Sequence, residues 1–197
     1  PWIHQNIIDT LLNIKLNKRI TGGNKVHESD GFCAALPFFL YTRSFKHLKK
    51  IISIVCNSKI SIKYGLAKFH ILNFALNGKK DPINLFLSKY KKNFYFKEVV
   101  KGILMIKRLK SKPHSFIVKK VGITCRYPGT FLSSIHAIIN SNNYKSAILI
   151  TIKAGGCNCS RSNFVGSYFA ALGGQSVIPS SWISKCVHSK KILNLSK

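Results

Sequence analysis

The stretch Ala154–Gly174, AGGCNCSRSNFVGSYFAALGG, is the most informative part of the chain. Two glycines open it, and small side chains recur at helical spacing in its second half, at Gly166, Ala170 and Ala171. Such spacing lets a helix approach its neighbours closely, so the stretch predicts a glycine loop followed by a tightly packed helix. A glycine loop before a helix also presents backbone N–H groups to an anion, although a tight turn has the same composition.

The rest of the 197-residue chain has helical periodicity as well. Apolar residues recur three and four positions apart, and no segment alternates as a strand would. Cap and turn residues separate the segments. Helices are predicted over residues 3–20, 31–41 (with a kink at Pro37), 44–56, 58–77, 82–91, 94–110, 131–141, 144–153, 160–172 and 179–188, and an irregular or briefly extended segment over 111–127. We therefore predict one all-α domain.

The charge of the chain is strongly one-sided. It has 32 Lys and Arg against five acids, a formal net charge of +27. The acids are Asp9, Glu28, Asp30, Asp81 and Glu98. Few paired-carboxylate glycosidase sites, or carboxylate cages for Mg²⁺ or Ca²⁺, can be assembled from so few acids. The excess of positive charge attracts polyanions, although a general compositional drift towards Lys explains it equally well.

The six cysteines do not require a disulfide framework, because the chain is long enough and apolar enough to form a core. Cys33 and Cys56 lie in apolar helical patterns and are predicted to be core thiols. We expect no signal peptide and no membrane-spanning segment, because no apolar run reaches the necessary length. We expect an intracellular protein, cytoplasmic or nuclear, with no membrane insertion. His4, His70 and His136 lie in helical patterns and are interpreted as packed or surface groups rather than ligands.

The two cysteines of the glycine loop leave several interpretations open. Cys157 and Cys159 are too close together for the usual Cys-x₂-Cys half-site of zinc, but they offer two thiolates to a soft metal. A third class of function is thiol chemistry at this pair. Arg161 and the start of a helix would then lower the pKa of a thiol.

The residues of this loop resemble a known family signature. They resemble the C-terminal signature of the ADP-ribosylglycohydrolase superfamily. That signature consists of two glycines, a pair of metal-binding positions followed by Ser or Thr, a small-residue helix, a glycine, Ile-Pro and an aromatic residue. Here the signature runs from Gly155 to Trp182. The Cys-Asn-Cys-Ser-Arg form is most similar to the J-crystallin and selenoprotein J branch.

Three further segments are similar to the family in the expected order. They are Ser29–Pro37, which is similar to a helix with an Asn-Gly start, Val55–Ser58 before a long helix, and Pro128–Thr130 before the signature. The resemblance implies an orthogonal helical bundle. Residues 1–197 then form a single domain that corresponds to the C-terminal two thirds of the family domain, without its N-terminal acidic motif.

The resemblance also implies how this chain departs from active members. Those members cleave ADP-ribosyl bonds with two Mg²⁺ ions, held in part by the two aspartates of the signature. Here the aspartate positions are Cys157 and Cys159, and only Ser160 keeps an oxygen. Mg²⁺ prefers hard oxygen ligands, so these positions are predicted not to bind it. We expect a pseudoenzyme with no catalytic residue in this chain and no cofactor, in a family of Mg²⁺-dependent hydrolases.

Binding requires fewer groups than catalysis, so a ligand site is still expected. The candidate diphosphate loop consists of Gly155, Gly156, Asn158, Ser160 and Arg161. The partner would be ADP-ribose or an ADP-ribosylated protein, and a structural, crystallin-like role is the other outcome within the family.

An alternative from another class is a basic nucleic-acid-binding module. Aromatic residues that can stack on bases are interleaved with lysines at Tyr90, Phe94, Tyr95 and Phe96. The same residues would serve equally well as the core-facing side of a helix.

Overall fold

A computed structural model of the protein describes residues 3–195. The helices are α1 Gln5–Lys15, α2 Asp30–Thr42, α3 Leu48–Val55, α4 Lys59–Leu76, α5 Pro82–Tyr90, α6 Lys97–Arg108, α7 His114–Val121, α8 Gly129–Ile139, α9 Tyr144–Lys153, α10 Asn158–Gly173, α11 Ser180–Lys185 and α12 Ser189–Leu195. A short 3₁₀ turn lies at Gln175–Val177. Extended pairing in the described range is limited to two isolated bridges. The all-α prediction is confirmed.

Three parts of the helix prediction were wrong. The first helix, expected over 3–20, ends at Lys15. Residues 111–127, expected to be irregular, contain α7, which begins after Pro113 and ends at Val121. Ile117 and Val118 of this helix are fully buried, so two turns are stabilised by packing rather than by length. The last predicted helix, 179–188, ends at Lys185 as α11, and a separate helix, α12, begins at Ser189 beyond the predicted span.

Cap residues account for the start of two well-predicted helices. Ser58 accepts a hydrogen bond from the backbone N–H of Ser61 at the start of α4, and Asp81 accepts one from Asn84 at the start of α5. Ser29 precedes α2 but does not cap it with its side chain. Its hydroxyl is used elsewhere, in a buried network described below.

The centre of the core is α4, which contacts α2, α3, α5 and α10. The side chains that pack between these helices are largely aromatic. Phe69 of α4 lies between Phe32 and Phe39, with ring centroids 4.8 and 4.9 Å away. Phe32 in turn meets Phe164 of α10 edge to face at 5.9 Å. These contacts fix the start of α10 against the middle of the bundle, which is where the signature loop lies.

A lysine lies in the middle of this aromatic core. Lys68 is fully buried, and its ammonium group donates a hydrogen bond to Ser29 Oγ over 2.8 Å. The same nitrogen lies 4.6 Å from the ring centre of Phe32 and 5.0 Å from that of Tyr127. Burial lowers the pKa of Lys68 to about 8, because the ammonium has lost its water and has only a hydroxyl and ring faces in return.

This lowered pKa predicts a specific pH dependence of stability. Between about pH 8 and about 10.4 the lysine of the unfolded chain is still protonated whereas Lys68 of the folded chain is not, so this group favours folding more as the pH rises. Lys68→Met removes the contribution of this titration to the free energy of unfolding. The stability of Lys68→Met relative to the parent chain should therefore fall by up to about 3 kcal/mol across that window.

Urea unfolding of the parent chain and of Lys68→Met at several pH values measures the difference between their free energies of unfolding. The titration of all other groups is common to the two proteins and cancels in this difference. Lys59→Met, on the exposed side of the same helix, is the matched control and should show no such trend. A difference between the parent and Lys68→Met that stays constant from pH 8 to 10 contradicts the assignment.

The structure also locates the other features singled out in the sequence. His70 and His136 are packed side chains, as predicted: His70 stacks on Phe45 at 4.4 Å and His136 is buried in α8. All six cysteines are unpaired. Cys56 is fully buried and Cys33 is half-buried against the core. None of the helices between residues 3 and 195 combines the length and hydrophobicity needed to cross a bilayer.

Candidate functional site

The signature loop is attached to a distant segment of the chain. Gly155 and Gly156 both have left-handed backbone angles, with φ of 72° and 70°. A Cβ on Gly156 would lie 2.3 Å from the carbonyl oxygen of Ile123. The same carbonyl accepts a hydrogen bond from the backbone N–H of Cys157 at 2.8 Å. This attachment brings the start of α10 against the segment that contains Cys125.

The thiols of Cys125 and Cys157 interact as a result. The interaction with the thiol of Cys125 is the main cause that lowers the pKa of Cys157, and Ser160, whose Oγ is 3.2 Å from Cys157 Sγ, adds to the effect while burial opposes it. The same contact raises the pKa of Cys125, with burial and the carboxylate of Glu28 acting in the same direction. Of the two, Cys157 is therefore the thiol that loses its proton first.

A buried carboxylate lies on the other side of Cys125. Glu28 is only 4% exposed, and its Oε1 accepts a hydrogen bond from the Cys125 thiol at 3.3 Å. Its Oε2 accepts one from Asn6 Nδ2 at 3.1 Å and lies 3.7 Å from His4 Nδ1. An isolated antiparallel bridge between Glu28 and Arg126 holds the two backbones in this register.

His4 connects a second acid to the same place. It lies at the start of α1, and its Nδ1 is 3.0 Å from Asp30 Oδ2. Burial raises the pKa of Asp30 to about 6, and the nearby Glu28 adds to the rise while His4 opposes it. We call the five residues of this region the acid–thiol cluster: His4, Glu28, Asp30, Cys125 and Cys157.

The candidate diphosphate residues lie in one loop, but their side chains have different surroundings. Ser160 is buried beside Cys157, Asn158 is half-buried and Cys159 is exposed. Arg161 is fully buried, and its Nη2 donates to Gly155 O and to Asn158 Oδ1.

The Arg161 guanidinium thus supports the loop from inside the fold. Its remaining nitrogens, Nε and Nη1, are buried and have no hydrogen-bond partner among residues 3–195.

The cluster contains residues that the sequence analysis did not connect. His4 was interpreted as a packed or surface group, and neither Glu28 nor Cys125 was assigned a role. These residues are far apart in the chain, and only the bridge at Glu28 and the loop contact at Ile123 bring them to Cys157. No local spacing could have indicated this.

The residues at the signature positions do not fit a pair of Mg²⁺ ions. Two of the three positions carry sulfur, and the one oxygen, on Ser160, is a neutral hydroxyl that contacts a thiol. Mg²⁺ requires oxygen ligands at close to octahedral geometry, and carboxylates supply most of its protein contacts. Glu28 and Asp30 are the carboxylates of the cluster, and both already have polar partners within it.

Comparison with known proteins agrees with this fold. A sequence model of the ADP-ribosylglycohydrolase family matches residues 24–197. Crystallin J1A of Tripedalia cystophora is 25% identical over 203 residues, which include 100% of this chain and 62% of the crystallin. Crystallin J1B of the same animal is 24% identical over 199 residues, 98% of this chain and 60% of the crystallin.

A solved structure, described as an ADP-ribosylglycohydrolase-related protein complex, has the same fold. It superimposes with a TM-score of 0.69 and 13% identity, over 98% of this chain and 67% of that one. The chain belongs to the ADP-ribosylglycohydrolase family. It spans 62% and 60% of the two crystallins that it matches.

The nucleic-acid alternative is not favoured by these findings. Of the four interleaved aromatics, Tyr90 and Phe96 pack against each other at 4.8 Å and both contact His70. Phe94 is exposed, and Tyr95 leans on Phe96. Two of the four aromatic residues therefore pack against the core and are not available to stack on bases.

The loop geometry predicts that two neighbouring glycines respond differently to substitution. Gly155→Ala meets no neighbour and should cost about 1 kcal/mol of stability, the cost of a side chain at positive φ. Gly156→Ala places a methyl group against the carbonyl of Ile123 and should cost at least about 3 kcal/mol.

Thermal and urea unfolding of the two variants measure these costs. Equal costs for the two glycines would show that the loop is not attached at Ile123.

Proposed function

We propose that this protein binds ADP-ribose, free or attached to a protein, and does not hydrolyse it with Mg²⁺. The observation that carries the proposal is the presence of sulfur at two signature positions, Cys157 and Cys159, where the resemblance implies that active members bind metal through carboxylates. The chain thus has the family's fold but carries sulfur in place of oxygen at two positions that resemble metal ligands.

The loss of hydrolysis follows from the ligand chemistry. Activation of water by a metal requires an ion at the reacting bond, and a thiol is a poor ligand for Mg²⁺. The signature positions Cys157, Cys159 and Ser160 offer no carboxylate for a hard ion.

Retained binding is supported by three features. The first is family membership. The second is the net charge of +27, which favours the binding of a diphosphate. The third is Arg161, which lies beneath the candidate diphosphate loop and donates through Nη2 to Gly155 O and Asn158 Oδ1. It holds the loop in place, and its positive charge favours a phosphate bound at the loop.

A structural role is the second candidate. The observation in its favour is that two relatives aligned over nearly the whole chain are named crystallins. Under this proposal the chain folds cooperatively and binds no nucleotide.

Calorimetric titration with ADP-ribose, with and without Mg²⁺, tests the main proposal. We expect saturable binding whose affinity does not change with Mg²⁺, and no release of ADP-ribose from an ADP-ribosylated arginine peptide. Arg161→Met should weaken binding by roughly 10- to 100-fold, because the loop loses both its internal support and the positive charge beneath it.

Arg126→Met is the matched control, because it removes the same charge from an exposed site close to the cluster. The melting temperature of each variant shows whether it is folded. Binding that requires Mg²⁺ and is followed by hydrolysis overturns the proposal. A folded chain that does not bind ADP-ribose favours the structural role.

A further inference from the structure

We propose that His4, Glu28, Cys125 and Cys157 form a binding site for one zinc ion. This site is distinct from the Mg²⁺ pair of the family in its ligands and in the type of ion that it selects. It does not depend on whether the chain binds ADP-ribose.

The distances between the donor atoms suit one ion. A ring nitrogen of His4, a carboxylate oxygen of Glu28 and the sulfur of Cys125 lie within 4.8 Å of one another. The sulfur of Cys125 lies 3.3 Å from Oε1 of Glu28. Ligands in a tetrahedral zinc site, with bonds of about 2.0 to 2.3 Å, are themselves about 3.3 to 3.8 Å apart. Small side-chain rotations therefore bring these three groups to bonding distance of one ion.

The proposal takes its fourth ligand from Cys157, at the start of α10, whose pKa is lowered mainly by its interaction with the Cys125 thiol. Two sulfurs, one imidazole nitrogen and one carboxylate oxygen are all ordinary zinc ligands. The same set is too soft and too small in number for Mg²⁺ or Ca²⁺. The exchange of carboxylate for thiol at position 157 thus changes the metal preference of the region rather than only removing a site.

The surroundings of the ligands also suit a metal. Asn6 donates a hydrogen bond to Glu28 Oε2 at 3.1 Å, which leaves Oε1 for the ion, and Asp30, 3.0 Å from His4 Nδ1, would hold the imidazole while Nε2 binds the ion. Metal-binding histidines and carboxylates are usually held by such outer partners, which fix their orientation before the ion arrives. These contacts make the proposed site pre-organised.

Access and charge are compatible with binding from solution. Glu28 and Cys125 are buried, whereas His4 and Cys157 are partly exposed, so an ion can enter from that side. On binding, the two thiols lose their protons to the solvent, and two zinc–sulfur bonds replace two S–H bonds. No electron is transferred, so the step needs no oxidant or reductant.

The ion would also connect four separate parts of the fold. The ligands come from the start of α1, the segment before α2, the segment before α8 and the start of α10. A metal that binds only the folded chain stabilises it, so zinc should raise the melting temperature of the reduced protein.

Titration of the reduced chain with Co²⁺, a spectroscopic substitute for zinc, tests the proposal. We expect a sulfur-to-cobalt charge-transfer band and the visible bands of a tetrahedral site, saturating at about one ion per chain and removed by added Zn²⁺. Cys157→Ser and Cys125→Ser should each weaken cobalt binding by roughly 100-fold or more, since each removes a ligand.

Cys186→Ser and Cys159→Ser are the matched controls, because both thiols are exposed and outside the proposed ligand set. Circular dichroism verifies that each variant is folded, and Cys157, which is only partly buried, gives the variant least disturbed by substitution.

A folded, reduced chain that shows no charge-transfer band overturns the proposal. A band that survives Cys157→Ser, or that disappears in Cys159→Ser, overturns the ligand assignment. A chain that forms a Cys125–Cys157 disulfide in air and binds no cobalt after reduction also overturns it.

Discussion

The contact of the signature loop with the carbonyl of Ile123 is the constraint on which the site depends. Gly156 approaches this carbonyl more closely than any residue with a side chain could, and the N–H of Cys157 binds the same oxygen. Through this attachment the start of α10 meets Cys125, and through the bridge at Glu28 it meets the start of α2. The aromatic packing of Phe164 against Phe32 supports the same arrangement from the core. Backbone contacts therefore determine which side chains meet at this site.

The fold is kept at low sequence identity. A TM-score of 0.69 at 13% identity shows that this architecture tolerates extensive substitution. At the positions that resemble the family signature this chain carries two thiols, Cys157 and Cys159, and Cys157 interacts with Cys125 from a distant segment. Thiolates, imidazole and a single carboxylate favour zinc over magnesium. The proposed site would therefore bind zinc in a region where the resemblance implies magnesium.

Much of the fold was predictable from local patterns, and most of the site was not. Ser58 and Asp81 cap the helices that their sequence positions indicated, because a cap depends only on residues three positions away. Helix α7 was missed since its two turns are stabilised by the burial of Ile117 and Val118, which the local sequence does not reveal. Cys157 and Ser160 were recognised from the family signature. The involvement of His4, Glu28 and Cys125 depends on contacts across the whole chain, and such contacts have no local pattern.

The metal content of the folded chain tests the central claim most directly. The reduced protein is incubated with Mg²⁺ and Zn²⁺ at equal and saturating concentrations, freed of unbound ions by gel filtration, and analysed by inductively coupled plasma mass spectrometry. The account predicts about one zinc per chain and no magnesium, as expected for a donor set of two thiolates, an imidazole and a carboxylate. Retained magnesium, or a folded chain that retains neither metal, would contradict it.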